Sequence, residues 1–408
     1  LANSSTPCFF YPSVGLSGVI SEMLTLPEFI DYMKVRGSFS SVGMPYPRNL
    51  TSPTYEYDEA NQQWKPKTHY PIKDLKPERT NSWELGLDMR LFKDFSLGFS
   101  WYLANTFNQT FDPKVSVSSG YSKIYLQTGY VRNSGVELSL GYGHTWNNHL
   151  HWESNFTLSH NKNTIKDLVT SYIHPETGLP ITQNRLDVGG LGKARFILKK
   201  GGTLGDLYTQ SDLKRDNSGM VEIDPSGALT TEDNLPDIKL GSVFPKANLA
   251  WNNRFEWRGI SLSALFTARI GGIAYSATQA AMDQYGVSER SAQARDNGGV
   301  LLNGRTLVDA QTYYSLIGNS SGLPQYYTYS ATNVRLQEAS VGYTIPRKWL
   351  GGVCDINVSV VGRNLWMIYC RAPFDPEAVV NTGNYYQGID NFMLPSTRNI
   401  GVNVKINF

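Results

Sequence analysis

Residues 83–103 read WELGLDMRLFKDFSLGFSWYL and decide the fold class of this 408-residue chain. Apolar residues occupy every second position over 83–91 and again over 95–103. Such strict alternation is typical of a β-strand that has one apolar face and one polar face. Lys93 and Asp94 lie between the two runs and indicate a tight turn. The stretch therefore predicts a β-hairpin.

The same alternation recurs along the chain and predicts an all-β, antiparallel fold of eleven strands. One slip of the alternation, around Gln337–Ala339, indicates a β-bulge, where one strand carries an extra residue. The predicted strands lie near residues 9–20, 30–41, 83–91, 95–103, 136–143, 156–158, 247–255, 260–270, 331–344, 354–360 and 400–408.

The connections between the predicted strands alternate in length without exception. The short ones are 21–29, 93–94, 146–150, 256–259 and 345–352. The long ones are 42–82, about 105–130, 162–241, 272–330 and 370–396. Outer-membrane barrels sort their connections in this way, with short periplasmic turns at one end and long extracellular loops at the other. The sequence therefore predicts a transmembrane antiparallel β-barrel whose last strand ends in the periplasm.

The composition agrees with this fold and argues against several other classes. Mean hydropathy is −0.33, and no stretch approaches the roughly 20 consecutive apolar residues of a membrane helix. A net charge of +2 argues against a nucleic-acid-binding protein, which would concentrate basic residues on one face. Cys8, Cys354 and Cys370 show neither the pairing of a disulfide framework nor the spacing of zinc ligands.

Aromatic residues near the predicted strand ends indicate contact with outer-membrane lipid, because transmembrane barrels carry aromatic girdles where the headgroups meet water. The tryptophans expected in these girdles are Trp83, Trp146, Trp152, Trp257, Trp349 and Trp366. The final strand carries Val402, Val404, Ile406 and Phe408 on one face. Its terminal phenylalanine resembles the signal that the outer-membrane assembly machinery reads, so an assembly signal is expected at 402–408.

Seven short motifs, in chain order, carry a resemblance to a known family. They are LKPERTNSWELG at 75–86, NSGVE at 133–137, VGYTIP at 341–346, GRNL at 362–365, FDPE at 374–377, QGID at 387–390 and LPSTR at 394–398. Over about residues 9–408 the chain resembles the TonB-dependent outer-membrane importers of the SusC/RagA type. Each motif is weak alone, but seven of them in the family's order form a specific signal.

This resemblance implies a plugged barrel of about 22 strands, of which the eleven predicted here would form half. Residues 1–408 would be the C-terminal part of that barrel, and the N-terminal domain, the plug and the first barrel strands would be absent from this chain. No signal peptide is found at Leu1, which fits a start inside a longer protein. Because open strand edges are costly in lipid, the remaining N-terminal part of the barrel is expected to close it.

The resemblance also implies a function, which is active import through the outer membrane of a Gram-negative cell of the Bacteroidetes type. A SusD-like surface lipoprotein would cap the barrel, and TonB–ExbB–ExbD would act through the missing plug region. The substrate would be an oligosaccharide or a peptide. No catalytic residue, metal, cofactor or nucleic-acid partner is expected.

Tyrosines in the long connection 272–330 are the candidate substrate-binding residues, because their rings stack on sugars or peptides and their hydroxyls form hydrogen bonds. Their number favours an oligosaccharide substrate. The alternative is that they pack the loop on itself or against a partner. The candidates are Tyr313, Tyr314, Tyr326, Tyr327 and Tyr329.

Other chemistry-bearing residues point to structural roles. His149 and His151 could share one strand face as a metal pair, but no third ligand lies near them in the sequence. Asp375 and Glu377 could mimic the paired carboxylates of a hydrolase, although their place in the FDPE motif favours a structural role. The segment ending at Gly192-Lys193 lacks the glycine and hydroxyl residues of a phosphate-binding loop.

Three other classes stay open at this point. A passive porin would lack both the lid and the plug. A soluble carbohydrate-binding β protein or glycosidase is also often rich in Tyr and Trp. An adhesin or autotransporter barrel would usually have loops shorter than 162–241. Carbonate or high-salt washing of membranes separates the soluble class from the barrels.

Overall fold

One antiparallel sheet of eleven strands, in chain order, forms the body of the molecule. The computed structural model describes residues 10–45, 56–65, 69, 76–111, 121, 125–127, 129–146, 150–173, 180–383 and 386–408. The sheet strands, β1 to β11, are Ser13–Val19, Ile30–Met44, Glu78–Leu91, Phe95–Phe107, Tyr130–Trp146, Leu150–Asp167, Ala247–Trp257, Ile260–Ile270, Asn333–Ile345, Asp355–Cys370 and Asn399–Asn407. The predicted eleven-stranded antiparallel fold is thus confirmed.

Alternation places two different surfaces on this sheet, which we call the apolar face and the polar face. Leu85, Trp251 and Val360 are between 47% and 56% exposed on the apolar face. This exposure fits a face that meets hydrocarbon, because lipid does not penalise apolar side chains. The predicted bulge is confirmed at Gln337, which has no partner between the pairs Leu265–Glu338 and Phe266–Leu336.

The alternation of short and long connections is also confirmed. The connections at one end are 20–29, 92–94, 258–259 and 346–354, and that between β5 and β6 lies outside the described residues. The first of them contains the one-turn helix α1, Ile20–Met23. Those at the other end are 45–77, 108–129, 168–246, 271–332 and 371–398. We call the two ends the short-turn end and the long-loop end.

Several strands run further toward the long-loop end than the sequence indicated. β6 was predicted only around Phe156 and Leu158, yet it continues to Asp167. Its outer part, His160–Thr164, reads HNKNT and is polar on both faces, so no alternation marks it. β3 and β10 are also longer than predicted, so Trp83 and Trp366 lie inside these strands with further strand residues beyond them. Their predicted position near strand ends was wrong.

Three long connections, 168–246, 271–332 and 371–398, pack together into a unit that we call the loop layer. Its core includes Phe196, Leu207, Tyr275, Tyr327 and Ile389, all 0% exposed. Its helices are α2 (Ala277–Gln284), α3 (Glu289–Asp296) and α4 (Ala310–Gly318). Its short strands are Val169–Ile173, Pro180–Gln183, Arg185–Leu191, Ala194–Lys199, Asp206–Thr209, Asp212–Leu213, Thr231–Glu232, Ile238–Ser242, Ile273–Ser276, Val300–Leu302, Thr306–Val308, Thr328–Ser330 and Ile389–Asp390.

Four further short strands lie in the other two long connections. They are Glu56–Asp58, Gln63–Lys65, Thr110–Phe111 and Leu126–Gln127. No helix in the described part of the chain is long and apolar enough to cross a membrane.

Candidate functional site

Two neighbouring rows of mostly short side chains cross the polar face and line an open trough of about 710 Å³. The row nearer the short-turn end is Gly98, Ser139, Thr157, Ala250 and Thr267, which pair in register from β4 to β8. The row nearer the long-loop end is Ser100, Glu137, Ser159, Asn248 and Arg269. Hydroxyl and amide groups therefore dominate the trough, which is also lined by the charged residues Asp88, Glu137, Arg269 and Glu377.

Arg36 lies flat across the polar face beside the trough and explains one of the sequence motifs. Its Nη2 donates to Ser100 Oγ at 2.6 Å, and its guanidinium lies 3.5 Å from Glu84 and 3.9 Å from Asp88. A Cβ atom on Gly86 would stand 2.2 Å from Arg36 Nε. The Glu-x-Gly pair at 84–86 therefore supplies both a partner for this arginine and the space that it crosses.

A second flat-lying side chain explains the glycine of the NSGVE motif. Tyr102 crosses Gly135, and its hydroxyl donates to Asn161 Oδ1 at 3.2 Å. A Cβ atom on Gly135 would stand 2.4 Å from both the Tyr102 hydroxyl and the backbone oxygen of His160. Only glycine leaves room for this arrangement, because real Cβ contacts do not come so close.

Arg335 joins the sheet to the loop layer through the FDPE motif. Its two Nη atoms donate to the carboxylate of Asp375 at 2.9 and 3.1 Å, and Glu377 lies 3.4 Å away. Its Nε donates to Asn333 Oδ1 at 3.1 Å. Burial opposes the charge of Asp375, but hydrogen bonds from Arg335, from the backbone of Glu377 and from Ser396 together outweigh it and hold the pKa of Asp375 below its ordinary value. This geometry supports the structural role expected for the two carboxylates.

The five candidate tyrosines occupy different environments in the loop layer. Tyr327 is fully buried, and its hydroxyl donates to the buried Asp283 at 3.0 Å. Tyr313 is 9% exposed in the same core. Tyr326 donates to Asp212 at 3.3 Å, and Tyr329 packs edge-on against Phe374. Tyr314 is half-buried, with its ring edge-on to Tyr313.

A cation holds this tyrosine cluster together. Arg290 forms an ion pair with Asp283, and its guanidinium stands 4.8 Å from the ring centre of Tyr327 and 5.8 Å from that of Tyr314. Ser288 also donates to Asp283. Tyr313 and Tyr327 therefore pack the loop layer on itself, which was the alternative to substrate binding. Tyr314, Tyr326 and Tyr329 remain predicted candidates for substrate contact.

The buried tyrosines should make the loop layer sensitive to alkali. Burial raises the pKa of Tyr313 to about 12, and it also raises the pKa of Tyr327. Because the folded pKa lies above the unfolded value near 10, the stabilisation is complete below about pH 10 and is lost as the pH rises through 12. Absorbance at 295 nm should show a late titration step that coincides with loop-layer unfolding. Titration of all tyrosines near pH 10 in the folded protein would contradict this expectation.

The short-turn end carries a continuous line of aromatic rings on the apolar face. Trp152 stacks on Phe255 at 5.6 Å and meets Tyr142 at 5.1 Å, and Tyr142 meets Phe95 at 4.7 Å between ring centres. Trp146 stacks on Trp152 at 6.4 Å. These contacts join Trp146 and Trp152 to Phe and Tyr rings that the sequence reasoning missed, because it considered tryptophan alone. A girdle at the membrane interface stays a prediction.

The other predicted girdle tryptophans lie close to this line or toward the long-loop end. Trp257 ends β7 beside Arg258, whose guanidinium is 5.5 Å from its ring centre. Trp349 lies in the turn Arg347–Leu350, 6.4 Å from the ring centre of Tyr343. Trp83 and Trp366 are 54% and 60% exposed on the apolar face nearer the long-loop end. Their contact with lipid stays a prediction.

The histidine pair gives no metal site in the described residues. His151 Nδ1 lies 2.8 Å from the hydroxyl of Thr145, and His149 lies outside the described residues. In the part of the chain that the structure describes, no group of three or more His, Cys, Asp and Glu side chains could hold a metal ion.

The final strand exposes the predicted assembly signal on the apolar face. Val402, Val404 and Ile406 are 70%, 56% and 49% exposed, and Phe408 is 86% exposed. Recognition of these residues by the assembly machinery stays a prediction.

Taken together, the strand pattern and the two faces define the wall of a transmembrane β-barrel, and the comparisons with known proteins agree. The family described as "TonB dependent receptor-like, beta-barrel" matches residues 9–365. The chain therefore belongs to the TonB-dependent receptor family.

The relatives found by sequence are receptors of the same family. TonB-dependent receptor P3 of Formosa agariphila is 23% identical over 83% of this chain and 35% of its own length. TonB-dependent receptor P39 of the same organism is 21% identical over 98% of this chain and 42% of its own length. The chain thus spans about two-fifths or less of the curated relatives that it matches.

Solved structures with the same fold are those of the RagAB peptide transporter. One superposes with a TM-score of 0.72 at 18% identity, over 98% of this chain and 43% of that one. The "open-open" state of the RagAB peptide importer gives a TM-score of 0.71 at 17% identity over 100% of this chain and 43% of that one. The expectation of a SusC/RagA-type barrel is confirmed for the fold.

Proposed function

We propose that this chain forms the C-terminal wall and the loop layer of a TonB-dependent importer in a Gram-negative outer membrane. The observation that carries the proposal is the organisation of the sheet, which has one apolar face, one polar face and all its long connections at one end. An apolar outside suits lipid, a polar inside suits a water-filled path, and a folded loop layer suits the capture of solutes from outside.

The partners follow from the family and from the open edges of the sheet. Among the described residues, strands β1 and β11 each pair on one side only, and unpaired backbone groups are costly in lipid. Further barrel strands would therefore complete the wall. By the family resemblance, a plug would fill the lumen, and TonB–ExbB–ExbD would act on that plug. The resemblance to the SusC/RagA type adds a SusD-like lipoprotein lid on the loop layer to this proposal.

The substrate class is an oligomeric nutrient. The number of tyrosines gives less support to an oligosaccharide substrate than the sequence suggested, because Tyr313 and Tyr327 belong to the core of the loop layer. Peptides gain support from the RagAB structures, which are a peptide transporter and a peptide importer by their names. No catalytic constellation is proposed, and Asp375 and Glu377 both serve Arg335.

The test is purification of the intact transporter from native outer membranes through this chain, followed by mass spectrometry of everything recovered with it. We expect a plug-bearing sequence and a SusD-like lipoprotein. Uptake of the cognate nutrient should also stop when TonB is deleted. Uptake that persists without TonB would favour a passive porin, and recovery from the soluble fraction would overturn the proposal.

A further inference from the structure

Three cations lie on the apolar face of the sheet, near its long-loop end. They are Arg79 on β3, Arg132 on β5 and Lys162 on β6, and we call them the basic band. Strand residues an even number of positions apart share a face, so Arg79 lies on the same face as Trp83. The register continues the row of Trp83 across β4 to Ser134 and then to Lys162. Arg132 is two residues from Ser134 and therefore shares this face as well.

The basic band lies at one depth across the sheet. Its members are 12, 14 and 12 residues from the short-turn ends of their strands, which are Leu91, Trp146 and Leu150. About 9–11 residues of a tilted strand cross the hydrocarbon of a membrane. The three cations therefore stand just beyond the hydrocarbon, at the level of the lipid headgroups on the long-loop side. Charged side chains are tolerated on a lipid-facing surface at this depth and are costly deeper in the membrane.

No carboxylate among the described residues is within ion-pair distance of the basic band. Arg79 donates through Nε to the hydroxyl of Ser41 at 2.7 Å. Arg132 donates through Nε to Asn105 Oδ1 at 2.9 Å. Lys162 is exposed. Neutral oxygens thus position the two guanidinium groups without cancelling their charge.

The neighbours of the basic band include neutral donors and acceptors. Asn81 lies in the same row as Arg132, two strands away. Asp167 lies further along the row of Arg79, but it forms its own ion pair with Lys200 at 2.9 Å. The band is therefore a positive strip with polar, uncharged groups beside it.

An apolar hollow of about 430 Å³ opens beside the basic band on the same face. Gly37 lies at its floor, and the register places this glycine between Leu16 and Leu85. Trp83 borders the hollow and is four residues from Arg79, so the hollow leads from the band toward the middle of the membrane. The apolar side chains that line it are Val14, Leu16, Phe39, Trp83, Leu85 and Trp101.

We propose that the basic band and the hollow together bind a phosphorylated glycolipid of the outer leaflet. The phosphate groups of the lipid pair with the three cations, and the planar guanidinium groups of Arg79 and Arg132 suit phosphate oxygens. One acyl chain lies in the hollow against the rings of Phe39 and Trp83, whose centres are 4.6 Å apart. The inference rests on the membrane placement proposed above and needs no particular transported substrate.

The shape of the basic band favours a glycolipid with several phosphates over a glycerophospholipid. Strands lie about 4.8 Å apart and residues about 3.4 Å apart, so the Cα atoms of Arg79 and Lys162 are separated by roughly 20 Å. One phosphate cannot bridge that distance. The amides of Asn81 and Asn105 and the hydroxyl of Ser134 match sugar hydroxyls, because they donate and accept hydrogen bonds. Long loops are extracellular, and phosphorylated glycolipid forms the outer leaflet of Gram-negative outer membranes.

The test measures lipid binding to the intact transporter by native mass spectrometry, after purification from outer membranes and removal of bound lipid with detergent. The probes are diphosphoryl lipid A, the same lipid without phosphates, and phosphatidylglycerol. Arg79→Gln, Arg132→Gln and Lys162→Gln combined should weaken binding of diphosphoryl lipid A roughly 100-fold, since each cation beside an anionic headgroup contributes about 5-fold. Binding of the lipid without phosphates should not change. Lys162→Gln alone, which alters one exposed side chain, should weaken lipid A binding about 5-fold.

Gly37→Val tests the hollow separately from the charges. The new side chain fills the floor of the hollow, where its Cβ atom would stand 3.3 Å from the movable Leu85 Cδ2. Valine also favours extended backbone, so the strand itself should tolerate the change. We expect binding of diphosphoryl lipid A to weaken several-fold although all three cations are in place.

Lys34→Gln, Arg90→Gln and Lys405→Gln combined form the matched control, because they remove the same charge from the polar face. This control should leave lipid A binding unchanged. Wild-type binding of lipid A by the variant without the basic band, or by Gly37→Val, would overturn the inference. Phosphatidylglycerol bound as tightly as lipid A, with the same dependence on the three cations, would overturn it in favour of any anionic lipid. Either failure would leave TonB-dependent uptake, which tests the proposed function, unaffected.

Discussion

Arg335→Met is expected to destabilise the attachment of the loop layer to the sheet by about 3–5 kcal/mol, the usual cost of breaking a buried ion pair from one side. The Arg335 and Asp375 side chains are only 5% and 10% exposed, so water cannot replace the lost cation. Methionine keeps most of the volume and leaves the two carboxylates at 375 and 377 unpaired. Limited proteolysis of the long connection 371–398 should become faster well before the barrel itself unfolds.

Arg363→Met provides the matched control for this variant. Arg363 pairs with Glu338 at 2.9 Å, but the two side chains are 69% and 37% exposed. Exposed pairs of this kind contribute about 0–1 kcal/mol, so proteolysis should hardly change. The double variant Arg335→Met with Asp375→Asn should recover part of the loss, because a neutral amide is less costly to bury. Similar proteolysis rates in Arg335→Met and Arg363→Met would show that Arg335 does not anchor the layer.

The ion pair between Arg335 and Asp375 also makes the attachment of the loop layer sensitive to acid. The folded pKa of Asp375 lies below its ordinary value, so the pair contributes fully above that ordinary value, near 4. Its contribution is lost as the pH falls through the lower, folded pKa. The loop layer is therefore expected to detach at strongly acidic pH.

The sheet could be predicted from sequence because its two faces meet different solvents. The run 83–103 alternates because one face needs apolar groups and the other tolerates charge. The same logic failed at His160–Thr164, where both faces are polar. It also gave no sign of the loop layer, whose core joins strands of two to seven residues that are distant in sequence. Short pieces of this kind show no period long enough to detect.

The candidate site was harder to predict than the fold for a related reason. Polar positions of an amphipathic strand look alike in sequence, so Glu137 and Arg269 had no distinguishing mark among many charged residues. Only the register across β5 to β8 brings them into one row. The tyrosines were visible in the sequence, but their burial depends on Asp283 and Arg290, which pair across α2 and α3.

Gly135→Val is expected to prevent stable assembly of the barrel wall. The new Cβ would stand 2.4 Å from the backbone oxygen of His160 on one side and from the Tyr102 hydroxyl on the other. Overpacking in tight sites costs about 1–3 kcal/mol and sometimes more. We expect the high end or beyond, because a paired backbone oxygen cannot move without breaking the ladder between β5 and β6. The measurement is the fraction of heat-modifiable, folded protein in outer membranes.

Gly143→Val separates this contact from a general effect of valine. Gly143 lies on the same strand and the same face, and a Cβ there would meet no atom within 4 Å. Because valine also favours extended backbone, this control should assemble normally. Adding Tyr102→Ala to Gly135→Val should restore little, since the His160 oxygen still blocks the site. Full rescue by Tyr102→Ala would show that the tyrosine ring, and not the backbone, makes glycine necessary at 135.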